Sequence, residues 1–295
     1  MFSSRLYWSL EENCLAQKLR NIKSDGGTLF DLTESNPTQV GLPYPNKEIL
    51  ESLKQRKSLT YEADPLGLKE VRAHIASYHC KRGRDISPDH LVLTTSTSEA
   101  YSFLFKLLCD PGEGFLAPSP SYPLFHFLAA LDAIKIDQYP LLFDDGWHLD
   151  FKELESAIKP STRALAVVHP NNPTGSYHSL KEQTRLMDIM VDHRLSLVID
   201  EVFYEYPLNR DRPPSFMNST REGLTFVLGG LSKLAGLPQM KLSWIWVGGR
   251  PELRDKAITR LEHIADTYLT VSTPIQYAAH RLLELAPSIQ HTILE

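Results

Sequence analysis

No stretch of this chain approaches the roughly 18 uninterrupted apolar residues that a membrane span requires, and the opening Met1–Leu10 has no charged region leading into an apolar run. Neither a membrane partner nor an export signal is expected. Cysteine is scarce: Cys14, Cys80 and Cys109 are the only three. That odd number, without the spacings of zinc sites or redox pairs, points to reduced structural thiols and a cytoplasmic address. No basic cluster of the kind that neutralises a phosphate backbone interrupts the mixed charge, whose balance is -5 over 295 residues, so nucleic acid is not an expected partner. Low-complexity tracts and internal repeats are also missing, which together with 42% hydrophobic residues excludes a disordered or fibrous chain. The length suffices for one large domain and part of another.

What is present is a series of short apolar runs, each ending at turn or polar residues: Leu91–Thr95, Ala164–Val168, Leu197–Ile199, Thr225–Leu228 and Ser243–Val247. Such runs read as buried strands. Helical patterns lie between several of them, with Leu68, Val71, Ile75 and Tyr78 on one face, and Leu104, Leu107 and Leu108 after the first strand. The alternation predicts an α/β three-layer sandwich, a mostly parallel mixed sheet with helices on both faces. Residues 1–55 are turn-rich, with Asn36-Pro37 and Pro43-Tyr44-Pro45, and are expected to belong to a smaller domain. Residues 56–280 should form the large domain, and 281–295 the start of an incomplete C-terminal part of the small one.

Ligands of such sheets sit outside the carboxyl ends of the strands, and polar residues gather there: Ser96-Thr97-Ser98, His169 to Gly175, Asp200 and Ser232-Lys233. Lys233 lies in the apolar, Gly-rich stretch Gly229 to Pro238, where a charged side chain is costly unless used. An amine stripped of water is the nucleophile that forms Schiff bases with aldehydes, although a snorkelling surface lysine gives the same pattern. Asp200 closes an apolar run, so its carboxylate needs a cation or donors; a protonated pyridine nitrogen would serve, as would an ordinary ion pair or cap. Ser96, Thr97 and Ser98 open a helical run and offer N–H groups and hydroxyls suited to a phosphate, or a plain N-cap.

Taken in order, these pieces resemble the fold-type I pyridoxal phosphate (PLP) aminotransferases, the aspartate aminotransferase superfamily, from about Asp31 to Gln276. The most specific signature is Asn171-Asn172-Pro173-Thr174-Gly175. The resemblance implies that Asn172 hydrogen-bonds the ring hydroxyl oxygen of PLP, that Asp200 pairs with the pyridine nitrogen, and that Lys233 carries the cofactor as a Schiff base. It implies further that Tyr122, in Pro120-Ser121-Tyr122-Pro123, stacks on the ring. Ser96, Thr97 and Ser98 would then hold the phosphate, and Tyr61 would reach it from the second subunit of a homodimer.

Three departures stand beside the resemblance. Phe203 occupies the position where the family usually has a tyrosine that bonds the ring oxygen, which leaves Asn172 as the sole donor and should raise the pKa of the Schiff base. Lys241 replaces a phosphate-binding arginine and lacks its bidentate fork. Gly230 replaces a phosphate-binding serine, although Ser232 remains.

The reaction implied is transfer of an amino group from an amino acid to a 2-oxo acid, a step of amino-acid metabolism. A PLP-dependent lyase or decarboxylase on the same scaffold is one rival, and a catalytically impaired homologue with a scaffolding or regulatory role is another. Asp266-Thr267-Tyr268-Leu269 offers no arginine for a side-chain carboxylate, which disfavours a specialist for aspartate or glutamate. Arg250, Arg254 and Arg260 lie too early to be the family's substrate-carboxylate arginine, so the 295-residue form is expected to build a PLP site yet transaminate poorly.

Overall fold

The computed structural model describes residues 2–6, 12–30, 33–208, 212–219 and 222–295. Asp31, where the resemblance begins, and Met1 and 7–10 of the opening stretch lie outside the described residues.

Eight strands form one sheet: β1 (Leu91–Thr94), β2 (Gly114–Ser119), β3 (Lys135–Phe143), β4 (Trp147–Leu149), β5 (Thr162–Val168), β6 (Ser196–Asp200), β7 (Thr225–Gly230) and β8 (Ser243–Gly248). Their order is β1-β8-β7-β6-β5-β2-β3-β4. The β7-β6-β5-β2-β3 core is parallel, while β8 runs antiparallel to both its neighbours and β4 antiparallel to β3. The mostly parallel mixed sheet is therefore present. All five apolar runs are strands. The runs missed by periodicity are β2 and β3, where Pro118 and Pro140 interrupt the pattern, and the three-residue β4, too short to show one; a proline cannot donate to the ladder and reads as a break.

Ten α-helices are described: α1 (Cys14–Ser24), α2 (Asn46–Ser52), α3 (Lys69–Cys80), α4 (Thr97–Leu108), α5 (Leu124–Leu131), α6 (Phe151–Ala157), α7 (Leu180–Asp192), α8 (Leu231–Leu234), α9 (Pro251–Tyr268) and α10 (Thr273–Leu294). Successive residues of a strand point to opposite faces, and both faces here are apolar. Leu197, Ile199 and Val227 join α3, α7 and α10 in one core cluster. Val198, Phe226 and Leu228 join α4, α5 and α9 in the other. This is the expected three-layer sandwich.

The expected boundaries at 55 and 280 meet continuous packing. Ile49 of α2 is buried in the same cluster as α10, and α10 runs unbroken through residue 280. Burying Leu282, Leu285 and Ile289 contributes about 1.5–3 kcal/mol for each side chain, which ties both halves of that helix to the sheet. By contrast, α1 buries no residue. Among the described residues no helix is long and apolar enough to cross a membrane.

Candidate active site

Strand register brings the candidate residues to one edge. Val168 pairs with Asp200 and Asp200 with Leu228, while Ser243 pairs with both Gly230 and Thr94. The segments after β1, β5, β6 and β7 therefore leave the sheet on the same side, with β1 and β7 about 10 Å apart across two strand spacings. A cleft of about 570 Å³ opens there. Tyr122, Asn172, Phe203, Ser232 and Lys233 line it, so five of the expected residues share one cavity of the size that small-molecule sites have.

Each of these side chains is placed by a local cause. The amide of Asn171 is already used, accepting from the Thr174 N–H and hydroxyl of its own loop and donating to the Pro120 carbonyl after β2. Asn172 is left to face the cleft. After β6, Glu201 accepts from the Ser215 hydroxyl at 2.6 Å and the Phe216 N–H at 2.8 Å. Four residues on, Arg84 and Arg212 both clamp Glu205. Burial opposes the charge of Glu205, but the two guanidinium groups outweigh it and hold the carboxyl below its usual range. The loop between them is thus fixed, and Phe203 projects under Lys233, whose Nζ stands 5.2 Å from the ring centroid.

Tyr204 faces away from the site, as its one-residue offset from Phe203 implies. Its hydroxyl donates to the Pro213 carbonyl and its ring lies between Arg84 and Arg212.

Asp200 is strongly perturbed. Burial pushes its carboxyl up to about 6, against the Val202 N–H, the Tyr101 hydroxyl and the charge of Lys233. A carboxylate that two donors and one ammonium leave undersatisfied has room for another cation. A protonated pyridine nitrogen meets that need, and an amine that can hold an aldehyde lies in the cleft. The residues present fit PLP.

Ser96 caps α4, its hydroxyl accepting from the Glu99 N–H at 3.1 Å. That leaves the Thr97 and Ser98 N–H groups of the first turn without a helical partner, at the positive end of the helix dipole. Asp200, Ser96, Thr97, Ser98, Lys241 and Tyr61 are not among the residues that line the cleft. Lys241 is exposed, in a left-handed conformation at φ 50°, and Tyr61 is 67% exposed. Sequence reasoning missed Tyr206, which lines the cleft and donates to the Lys233 carbonyl at 2.6 Å. It also missed Tyr101, whose signal was its place one helical turn after Thr97.

An α/β sandwich whose strand ends converge on a lysine amine and a buried aspartate is the fold-type I architecture of PLP-dependent transferases. The chain belongs to aminotransferase class I and II, whose family profile matches residues 28–293. It is 24% identical over 278 residues to the glutamate-pyruvate aminotransferase AlaA of Escherichia coli K12, covering 94% of this chain and 69% of that one. It is 26% identical over 283 residues to the alanine aminotransferase of Mycobacterium tuberculosis H37Rv, covering 94% and 65%. Among solved structures, the alanine aminotransferase of Pyrococcus furiosus superposes with a TM-score of 0.84 at 25% identity over 93% of this chain and 70% of that one. A Thermus thermophilus aspartate aminotransferase reaches 0.85 at 22%, covering 100% and 76%, and shares the fold. The chain spans about two thirds of the length of the relatives it matches.

Proposed function

We propose that this protein transfers an amino group from an amino acid to a 2-oxo acid, with Lys233 as the cofactor-bearing and proton-moving amine. The observation that carries the reading is Lys233 in a cleft walled by Tyr122 and Asn172, with its charge acting on the buried, undersatisfied Asp200. PLP, when bound, supplies a ring that takes up the electron pair released at the substrate α-carbon.

The chain's own residues do the rest. Asp200 keeps the ring nitrogen protonated. Tyr122 would cover a ring face, and Asn172 would donate to the ring hydroxyl oxygen. Ser96, Thr97, Ser98 and Ser232 would hold the phosphate, and Tyr61 would reach the phosphate of a second copy in a homodimer. The Lys233 amine would take the α-proton of the amino acid and carry it for return. Tyr206 steadies the lysine by accepting no change in its backbone, since its hydroxyl anchors the Lys233 carbonyl.

The cofactor-binding body is assigned to residues 56–280. A cytoplasmic setting is supported by the three unpaired cysteines. The names of the two relatives support glutamate and alanine as the first donors to assay and pyruvate as the first acceptor.

The deciding experiment mixes the purified protein with PLP, records the visible spectrum, and maps the peptide fixed by borohydride. Label on Lys233 together with stoichiometric consumption of a 2-oxo acid supports the reading. Release of ammonia or a thiol without an acceptor would replace the transferase by a lyase. Absence of any label would overturn both.

A further inference from the structure

Gly230 and Ser243 face one another across the β7–β8 pair. Gly230 is extended, at φ 176°, so its backbone does not require glycine; the space does. A Cβ placed on it would stand 2.3 Å from the Ser243 Oγ, 3.0 Å from the Ser243 Cβ and 3.2 Å from the Leu242 carbonyl oxygen. The Ser243 hydroxyl therefore fills the volume that a side chain at position 230 would occupy.

Ser243 is 1% exposed, and no hydrogen bond holds its hydroxyl among the described residues. Its register partner on the other side is Thr94, the last residue of β1, from which the chain passes directly into Ser96 and the first turn of α4. The hydroxyl thus lies between the N-terminus of a twelve-residue helix and the segment that carries Ser232 and Lys233.

We infer that Ser243 is a phosphate-binding residue of this protein, supplying across the strand pair the hydroxyl that Gly230 lacks. The inference rests on the PLP reading above and concerns the phosphate alone. The ligand chemistry is a phosphate monoester dianion: the hydroxyl donates to one of its oxygens, and the free N–H groups at the start of α4 donate to others. It also explains the glycine. A serine at 230 and a serine at 243 cannot both be accommodated, so the hydroxyl has one place on one strand or the other.

The test compares Ser243→Ala with the unaltered protein for binding of PLP and of pyridoxal, which lacks the phosphate, by absorbance titration without substrate. Expected is a 5- to 30-fold weaker affinity for PLP with pyridoxal affinity unchanged, and a matching loss in protection by inorganic phosphate. The double variant Gly230→Ser/Ser243→Gly moves the hydroxyl to the opposite strand and should recover most of the PLP affinity, while Gly230→Ser alone should not. Thermal unfolding of each apo protein shows whether a variant has folded. Equal losses for PLP and pyridoxal, or none for either, would overturn the inference while leaving PLP binding by the unaltered protein in place. Failure of the unaltered protein to bind PLP would instead remove the reading beneath it.

Discussion

The Tyr101 hydroxyl donates to Asp200 Oδ2 at 3.3 Å while the Val202 N–H donates to Oδ1 at 3.1 Å, so each oxygen of the buried carboxylate is held by a different element. Val202 belongs to the loop that follows Asp200, whereas Tyr101 comes from α4. Burial keeps the Tyr101 phenol well above its ordinary pKa, so it stays a neutral donor throughout the working pH range.

Replacing Tyr101 by Phe removes a donor that favours the charged form of Asp200. The carboxyl should then take a proton at higher pH, and the acid limb of the kcat/KM profile should move upward. A fall of about 10- to 150-fold at neutral pH is expected from the loss of one hydrogen bond to a charged group. An acid limb that stays in place would show that the phenol only fills space.

Lys233→Ala should abolish borohydride fixation of the cofactor and reduce turnover by at least about 10³-fold, since both the covalent link and the proton carrier are gone. The Tyr206 hydroxyl bonds the backbone carbonyl and not the amine, so thermal unfolding of the apo protein should change little. Retained fixation at another lysine would remove Lys233 from its role.

The pH dependence of stability tests Asp200 without any turnover. Its folded carboxyl is pushed up to about 6, above the ordinary aspartate range near 3.9. The folded state therefore binds this proton more tightly than the unfolded one. That stabilisation is complete below about pH 3.9 and lost as pH rises through about 6. In the apo protein Asp200→Asn should be more stable than the unaltered protein at pH 7.5 by roughly 1–3 kcal/mol, and the advantage should vanish toward pH 4. Glu201, pushed up to about 7 by burial, titrates in both proteins and drops out of the difference. Saturating PLP should reverse the order at pH 7.5, because only a carboxylate pairs with the pyridine nitrogen. A variant that is less stable at every pH would contradict this.

Phe203→Tyr places a hydroxyl on the ring that underlies Lys233. A donor restored toward the ring oxygen should lower the pKa read from the absorbance of the bound cofactor by about one unit. A titration that does not move would mean that the para position of residue 203 points away from that oxygen.

The chain by itself determined the layers and the edge at which chemistry gathers. Alternating apolar runs such as Leu197–Ile199 can be buried only between two helical layers, and their polar ends then fall on one side of the sheet. Lys233, Asp200, Asn172 and Tyr122 were legible because each follows a strand or a turn with its own local signature. Tertiary structure alone decided which hydroxyls and carboxylates meet. The bond from Tyr101 to Asp200 spans 99 positions of sequence, and the contact of Ser243 with the space above Gly230 depends on an antiparallel register that no local pattern encodes. The raised carboxyl of Asp200 has the same origin: a pKa is set by the water and charge around a group, and those are known only once distant segments have closed around it.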